Sequence, residues 1–196
     1  MQRRWIILLA ALGLIGCSGP QVRYDTDYQT VAVDRQRNTE LAEQHNARGL
    51  ALLAEEKLDD AASAFKAALT ADIMHGAAHN NLGKVYYHQR KFYLAAWEFQ
   101  YAIKLMPHNP APRNNLGLVM ETTGKVDEAV SAYEEALSIE PDNPQLLGNA
   151  ARARIKRGER DEQVRELLEA IVLKDTRPKW VEWAREQLAL IESQTN

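Results

Sequence analysis

Cysteine is nearly absent: Cys17 is the only one in 196 residues. No intramolecular disulfide can form, and no CxxC redox or metal motif is possible. No phosphate loop, nucleophile elbow or metalloprotease helix occurs either. Charge of one sign is also scarce. The chain carries 24 basic and 27 acidic residues, which argues against nucleic acid as a partner. Long apolar runs are missing except for one near the start, Trp5 to Ile15. Eleven residues are too few to span a bilayer comfortably.

What is present is a repeat. Asn-Leu-Gly occurs at 81–83 and again at 115–117, and Asn149-Ala150-Ala151 follows another 34 residues on. A period of this length marks a solenoid of stacked supersecondary units with a continuous core. Repeats of 34 residues start at Ala42, Gly76, Pro110 and Pro144. Position 8 is then Gly49, Gly83, Gly117 and Ala151, and position 24 is Phe65, Phe99, Tyr133 and Leu167. Position 20 is Ala61, Ala95, Ala129 and Gln163, and position 27 is alanine throughout (68, 102, 136, 170). Small residues recur where two helices approach closely, and one large residue fills the remaining space. Gly124 and Gly158 at position 15 mark a turn inside each helix pair. Pro107 and Pro141 stand just past the second helix, and Pro110, Pro144 and Pro178 open the next pair. Asn109 and Asn143 are positioned to cap the helices that follow.

These residues resemble the tetratricopeptide-repeat (TPR) family. The signature is carried by Asn81-Leu82-Gly83-x-x-Tyr86, Ala95, Phe99, Ala102 and Pro107. It recurs as Leu116, Gly117, Ala129, Tyr133, Ala136 and Pro141. The resemblance implies an all-α solenoid of antiparallel helix pairs over 34–177, with repeats at 42–75, 76–109, 110–143 and a degenerate 144–177. Repeat one departs at Arg48 and Ile73, and repeat four at Arg154 and Gln163, as expected of end repeats. A last apolar stripe, Trp180, Trp183, Ala184, Leu188 and Ile191, predicts a capping helix over 178–196 with both tryptophans in the core.

The first 16 residues have the order of a secretory signal: Arg3 and Arg4, an apolar run, then a small residue. Leu14-Ile15-Gly16-Cys17 resembles the lipobox of bacterial lipoproteins, which implies cleavage before Cys17 and acylation of its thiol. An unlipidated secreted protein or a short membrane anchor are the other readings. Two or three acyl chains would make attachment effectively permanent. Ser18 resembles an outer-membrane address in didermic bacteria, with the repeats facing the periplasm. Residues 17–33 read as the lipidated cysteine and a polar tether.

In this family the first helix of each pair lines a concave groove. Carried over by position, the groove residues are Asn81, Lys84, Tyr87 and His88, then Asn115, Leu118 and Glu121, then Asn149, Arg152, Ile155 and Lys156. Asn81, Asn115 and Asn149 share position 6 and resemble the asparagine ladder in the TPR domain of O-GlcNAc transferase. An amide matches both groups of an extended backbone; bridging to the neighbouring repeat is the alternative. Arg152, Arg154, Lys156 and Arg157 would make the end of the groove basic, suited to a carboxylate. A second surface is Tyr93, Trp97 and Tyr101, spaced i, i+4, i+8 on an outward face, unless the N-terminal segment covers it. His75 and His79 straddle a repeat boundary with no local Glu or Cys to complete a metal set, and read as solvated turn residues.

The expectation is a non-enzymatic, membrane-anchored adaptor that holds an extended segment of an envelope protein, pilotin-like or envelope-adaptor-like in architecture. It needs no cofactor beyond the lipid on Cys17 and no metal. A self-assembling structural lipoprotein, using the aromatic stripe for a homo-oligomeric contact, is the alternative.

Overall fold

The computed structural model describes residues 37–195, with side chains through residue 193. The described residues form nine helices and no strand: α1 (Thr39–Ala54), α2 (Leu58–Ala71), α3 (Gly76–His88), α4 (Phe92–Leu105), α5 (Pro110–Thr122), α6 (Val126–Ile139), α7 (Pro144–Arg157), α8 (Glu162–Lys174) and α9 (Pro178–Thr195). The punctuation acts as its chemistry dictates. Asn109 Oδ1 accepts from the Ala111 N–H at 2.9 Å, and Asn143 Oδ1 from the Gln145 N–H at 3.0 Å. Pro110 and Pro144 open their helices, where an N–H would have no intrahelical partner. The turn inside each pair needs a left-handed residue at position 15. Gly124 and Gly158 supply it at φ 80° and 100°, whereas Glu56 and Arg90 adopt φ 60° and 59° at the same place.

Within a pair, the close approach is set by glycine against an aromatic ring. A Cβ on Gly49 would lie 2.5 Å from Phe65 Cε1; on Gly83, 2.6 Å from Phe99 Cε1; on Gly117, 2.6 Å from Tyr133 Cε1. All three rings are buried. In the fourth pair the ring is replaced by Leu168, and Ala151 stands where the glycine was. The strict period fails here. Val164, Leu168 and Ile171 are fully buried, while Gln163 is exposed and Leu167 and Ala170 are half-buried. The turn after Gly158 is longer than the one after Gly124, so the second helix of this repeat sits one residue later. Gln163 is therefore not a polar substitute at position 20; Val164 holds that place.

Each pair packs on the next, and α9 closes the stack on α8. Trp180 and Trp183 meet edge to face at 5.3 Å and pack on the cluster of Leu147, Ala151, Val164, Leu168 and Ile171. Both are half-buried against that cluster rather than within the core. At the other end Arg37 forms a bidentate pair with buried Asp72 at 2.8 and 3.0 Å. The guanidinium holds that carboxyl below its usual range, against the opposing effect of burial.

Gly83→Ala is expected to destabilise by about 1–3 kcal/mol, because Phe99 must leave its rotamer or the helices must part. Adding Phe99→Leu should recover part of the loss, since Ala151 with Leu168 already packs this way. Urea denaturation of the two variants decides it; an unchanged midpoint for Gly83→Ala would contradict the account.

Candidate functional site

The first helices of successive pairs touch one another: α1 with α3, α3 with α5, α5 with α7. No comparable packing joins successive second helices among the described residues. The first-helix side is thus the inside of the curve, and its side chains form the candidate groove.

Near its N-terminal end, Lys84 and His88 line an open hollow of about 600 Å³ with Leu53, Ala54, Glu56 and Leu58. His88 is exposed and Lys84 half-buried. Tyr87 spans two repeats: its Oη and Thr122 Oγ1 are 3.0 Å apart, and its ring meets Phe92 edge-on at 5.8 Å. Leu118 is half-buried on the same helix as Asn115.

The asparagines are not a row of amides facing a ligand. Asn81 Nδ2 donates to Asn46 Oδ1 at 3.0 Å, Asn115 Nδ2 to Asn80 Oδ1 at 2.9 Å, and Asn149 Nδ2 to Asn114 Oδ1 at 2.7 Å. Position 6 of one repeat donates to position 5 of the repeat before it, each time 35 residues away. Asn81 and Asn149 are buried, and only Asn115 is half-exposed. The ladder also ends where the repeats end. Position 6 of the first repeat is Ala47, which has no earlier repeat to reach. Position 5 of the fourth is Gly148, where a Cβ would lie 2.8 Å from Trp180. The free-amide expectation is thus corrected: these side chains fasten repeat to repeat. The partners Asn46, Asn80 and Asn114 were missed, although the doublets Asn80-Asn81 and Asn114-Asn115 signal them.

The basic end of the groove is also largely spent. Arg152 donates to Glu121 through Nε at 3.1 Å and Nη2 at 2.9 Å, and Tyr133 Oη donates to the same carboxylate at 3.0 Å. Burial pushes the Glu121 carboxyl up, but Arg152 outweighs it and holds it below its usual range. Burial and the Glu121 charge push the Tyr133 phenol well up, so it stays a donor. Lys156 Nζ reaches Glu121 at 4.0 Å. Arg154 pairs with Glu134 and Glu159, and Arg157 with Glu159 and Asp127. The expectation of a free carboxylate site is corrected to an ion-pair network that ties repeat three to repeat four. The Arg152 guanidinium also lies 5.5 Å from the Trp180 ring centroid, linking the network to α9.

Histidine 79 is not a solvated turn residue. It is buried, with Nδ1 2.7 Å from Glu98 and Nε2 2.9 Å from the Ile73 carbonyl, and its ring stacks on Tyr101 at 5.3 Å. Both ring nitrogens face acceptors, an arrangement that suits the imidazolium. Burial pushes its pKa down, but Glu98 and the Ile73 carbonyl outweigh that and raise it above 6.5. His75 Nδ1 instead accepts from the Ala78 N–H at 3.1 Å and so caps α3. Among the described residues no group of three His, Cys, Asp or Glu is placed to hold a metal ion. Tyr93, Trp97 and Tyr101 are 79%, 51% and 40% exposed on α4, outward as the spacing predicts. Cys17, the signal and the tether lie outside the described residues.

Two outcomes are expected. Asn149→Ala leaves buried Asn114 Oδ1 without its donor, at about 1–3 kcal/mol. Asn114→Ala with Asn149→Ala should cost less than the two singles added, and a double-mutant cycle without coupling would contradict the rung. The His79 pKa is raised on folding, so its contribution is complete below the unfolded value near 6.5 and is lost as pH rises through the folded pKa. Denaturation from acid to mildly alkaline pH should show that slope in the wild type and not in His79→Gln; identical profiles would contradict it.

Comparison with known proteins agrees with this geometry. Two family profiles, both described as tetratricopeptide repeat, match residues 46–110 and 122–181. No curated protein matches the sequence. Among solved structures, the first TPR of Spaghetti (RPAP3) bound to the HSP90 peptide SRMEEVD is 20% identical, with a TM-score of 0.60, over 62% of this chain and 96% of that one. A crystal structure of MamA is 23% identical at TM-score 0.58, over 79% and 81% of the two chains. The Arabidopsis OM64 TPR domain is 19% identical at TM-score 0.59, over 61% and 98%. At these identities the likeness is one of fold. With the helix pairs, the glycine–aromatic contacts and the matched profiles on the same residues, the chain is a tetratricopeptide-repeat protein.

Proposed function

We propose that the protein is a non-enzymatic adaptor, tethered through a lipid on Cys17 at the periplasmic face of an envelope membrane, that holds an extended segment of a partner protein in its groove. The observation that carries the reading is the inner face itself. It is a continuous first-helix surface on which Lys84 and His88 are in no salt bridge among the described residues, Leu118 is half-buried, and a hollow opens beside Leu53 and Leu58. A peptide partner accords with the fold, and one of the similar structures was solved with a peptide. Anchoring rests on Arg3, Arg4, the apolar run and Leu14-Ile15-Gly16-Cys17. Selectivity on this reading comes from Lys84, Tyr87, His88 and Leu118. Asn81, Asn149, Arg152 and Lys156 shape the surface by holding repeats together. Assembly of envelope machinery, such as pili or secretion systems, is the setting such an adaptor fits.

The test is photo-crosslinking in cells, with the reactive residue placed at His88 and, as a control, at exposed Ser131 on the outer side. The expected result is a species captured from position 88 and not from 131. The double change Lys84→Glu and Leu118→Asp, with helicity unchanged, should reduce its yield at least about tenfold, the factor that 1.4 kcal/mol represents. Cys17→Ser should release the protein from anchored attachment and reduce the same capture. Equal capture from both positions, or capture indifferent to the groove changes, would reject the groove.

A further inference from the structure

The outer face of α4 breaks a pattern that the other second helices keep. α2 begins with Asp59 and Asp60, α6 with Asp127 and Glu128, and α8 has Glu162 in its first turn. Carboxylates are favoured there by the positive end of the helix dipole. α4 has none in its first turn, and Tyr93 and Leu94 stand in their place, both exposed. The exposed residues of α4 are Tyr93, Leu94, Trp97, Gln100, Tyr101 and Lys104. The face thus carries three aromatics, an aliphatic and a cation, and no anion. The helix's one carboxylate, Glu98, is turned inward to His79.

The patch continues beyond the helix. Ile73 and Met74 are 61% and 50% exposed in the loop before α3. The Ile73 carbonyl accepts from His79, and His79 stacks on Tyr101, so loop and helix are joined through one buried ring. Cations flank the patch at both ends. Arg90 and Lys91 precede α4, and Lys104 Nζ lies 5.5 Å from the Tyr101 ring centroid. None of the three is in a salt bridge among the described residues, in contrast to Arg152, Arg154 and Arg157 of repeat four.

An apolar and aromatic stripe that lacks the carboxylates its sister helices carry marks a surface for an occupant. Rings with an apolar body and a polar tip, flanked by lysine and arginine, match the boundary between lipid headgroups and acyl chains. Anionic headgroups attract the three cations, and an acidic residue on the same face would oppose them. A protein interface would share the aromatics, the methionine and the arginine but tends to lose lysine, of which this patch has two, Lys91 and Lys104. From Tyr93 to Tyr101 the stripe runs about 12 Å along one helix, so it can lie flat on a surface. We propose that the outer face of α4, with Ile73 and Met74, docks on an anionic lipid surface. The groove lies on the opposite side of the helix pairs and stays open when it does. The proposal depends neither on acylation of Cys17 nor on a peptide in the groove.

Residues 37–196 contain all nine described helices and both ends of the asparagine ladder, so this fragment holds their core and lacks the apolar leader and Cys17. It is mixed with vesicles of phosphatidylcholine alone and of phosphatidylcholine with phosphatidylglycerol, and followed by co-sedimentation and tryptophan emission. Binding is expected only with the anionic vesicles, with a blue shift that Trp97→Ala removes. Lys104→Glu should weaken it at least about fivefold. The double variant Tyr93→Asp with Leu94→Glu restores the acidic first turn. It should keep or raise Tm and abolish binding, so loss of binding cannot be put down to unfolding. Equal binding to both vesicle types, binding retained by the double variant, or no binding at all would overturn the proposal. Wild-type self-association that the double variant loses, without vesicle binding, would assign the face to a second copy instead.

Discussion

The contact between a bare backbone at position 8 and a ring at position 24 is the constraint on which the solenoid depends. It fixes how closely the two helices of a pair approach, and so sets the shape of the unit that is repeated. A methyl group on Gly49, Gly83 or Gly117 has nowhere to go while Phe65, Phe99 or Tyr133 keeps its place. The fourth pair solves the same problem with smaller partners on both sides, Ala151 and Leu168, and there the helix register also changes. Inner and outer surfaces then follow, because first helices touch along the stack and second helices have no comparable packing among the described residues.

Between pairs the decisive links are polar. Three buried or half-buried asparagine rungs and the Tyr133–Glu121–Arg152 cluster join neighbouring first helices on the inner face. Buried amides and charges are costly unless paired, so each rung favours the register that supplies its partner. Ala47 and Gly148 end the ladder without leaving an orphan. Selectivity in the groove is left to the side chains that these links do not occupy.

Helix boundaries, turn glycines and caps were legible in the sequence because each rests on local backbone chemistry that one residue decides. The outward aromatic stripe was legible for a similar reason, since helical spacing alone puts Tyr93, Trp97 and Tyr101 on one side. Bridging of the asparagines to the neighbouring repeat was legible only as the alternative, and its partners at position 5 were not, because each lies 35 residues away and position 6 alone does not name them. The basic run at 152–157 reads as a free patch because three of its acids, Glu121, Asp127 and Glu134, come from the preceding repeat, although the fourth, Glu159, is local. His79 was misjudged because its burial depends on Glu98 and Tyr101 from the next helix. The extra residue near Gly158 hid behind a period that fitted three repeats.

The inner face divides into residues that build it and residues that read a partner. Side-chain amide NMR of residues 37–196 tests that division most directly. The Nδ2 protons of Asn81, Asn115 and Asn149 should be protected from exchange with water, and their signals should stay in place when a groove-bound partner is added. Rapid exchange of all three without partner, with protection only on binding, would show that the ladder is a ligand site and that the repeats are held together by other means.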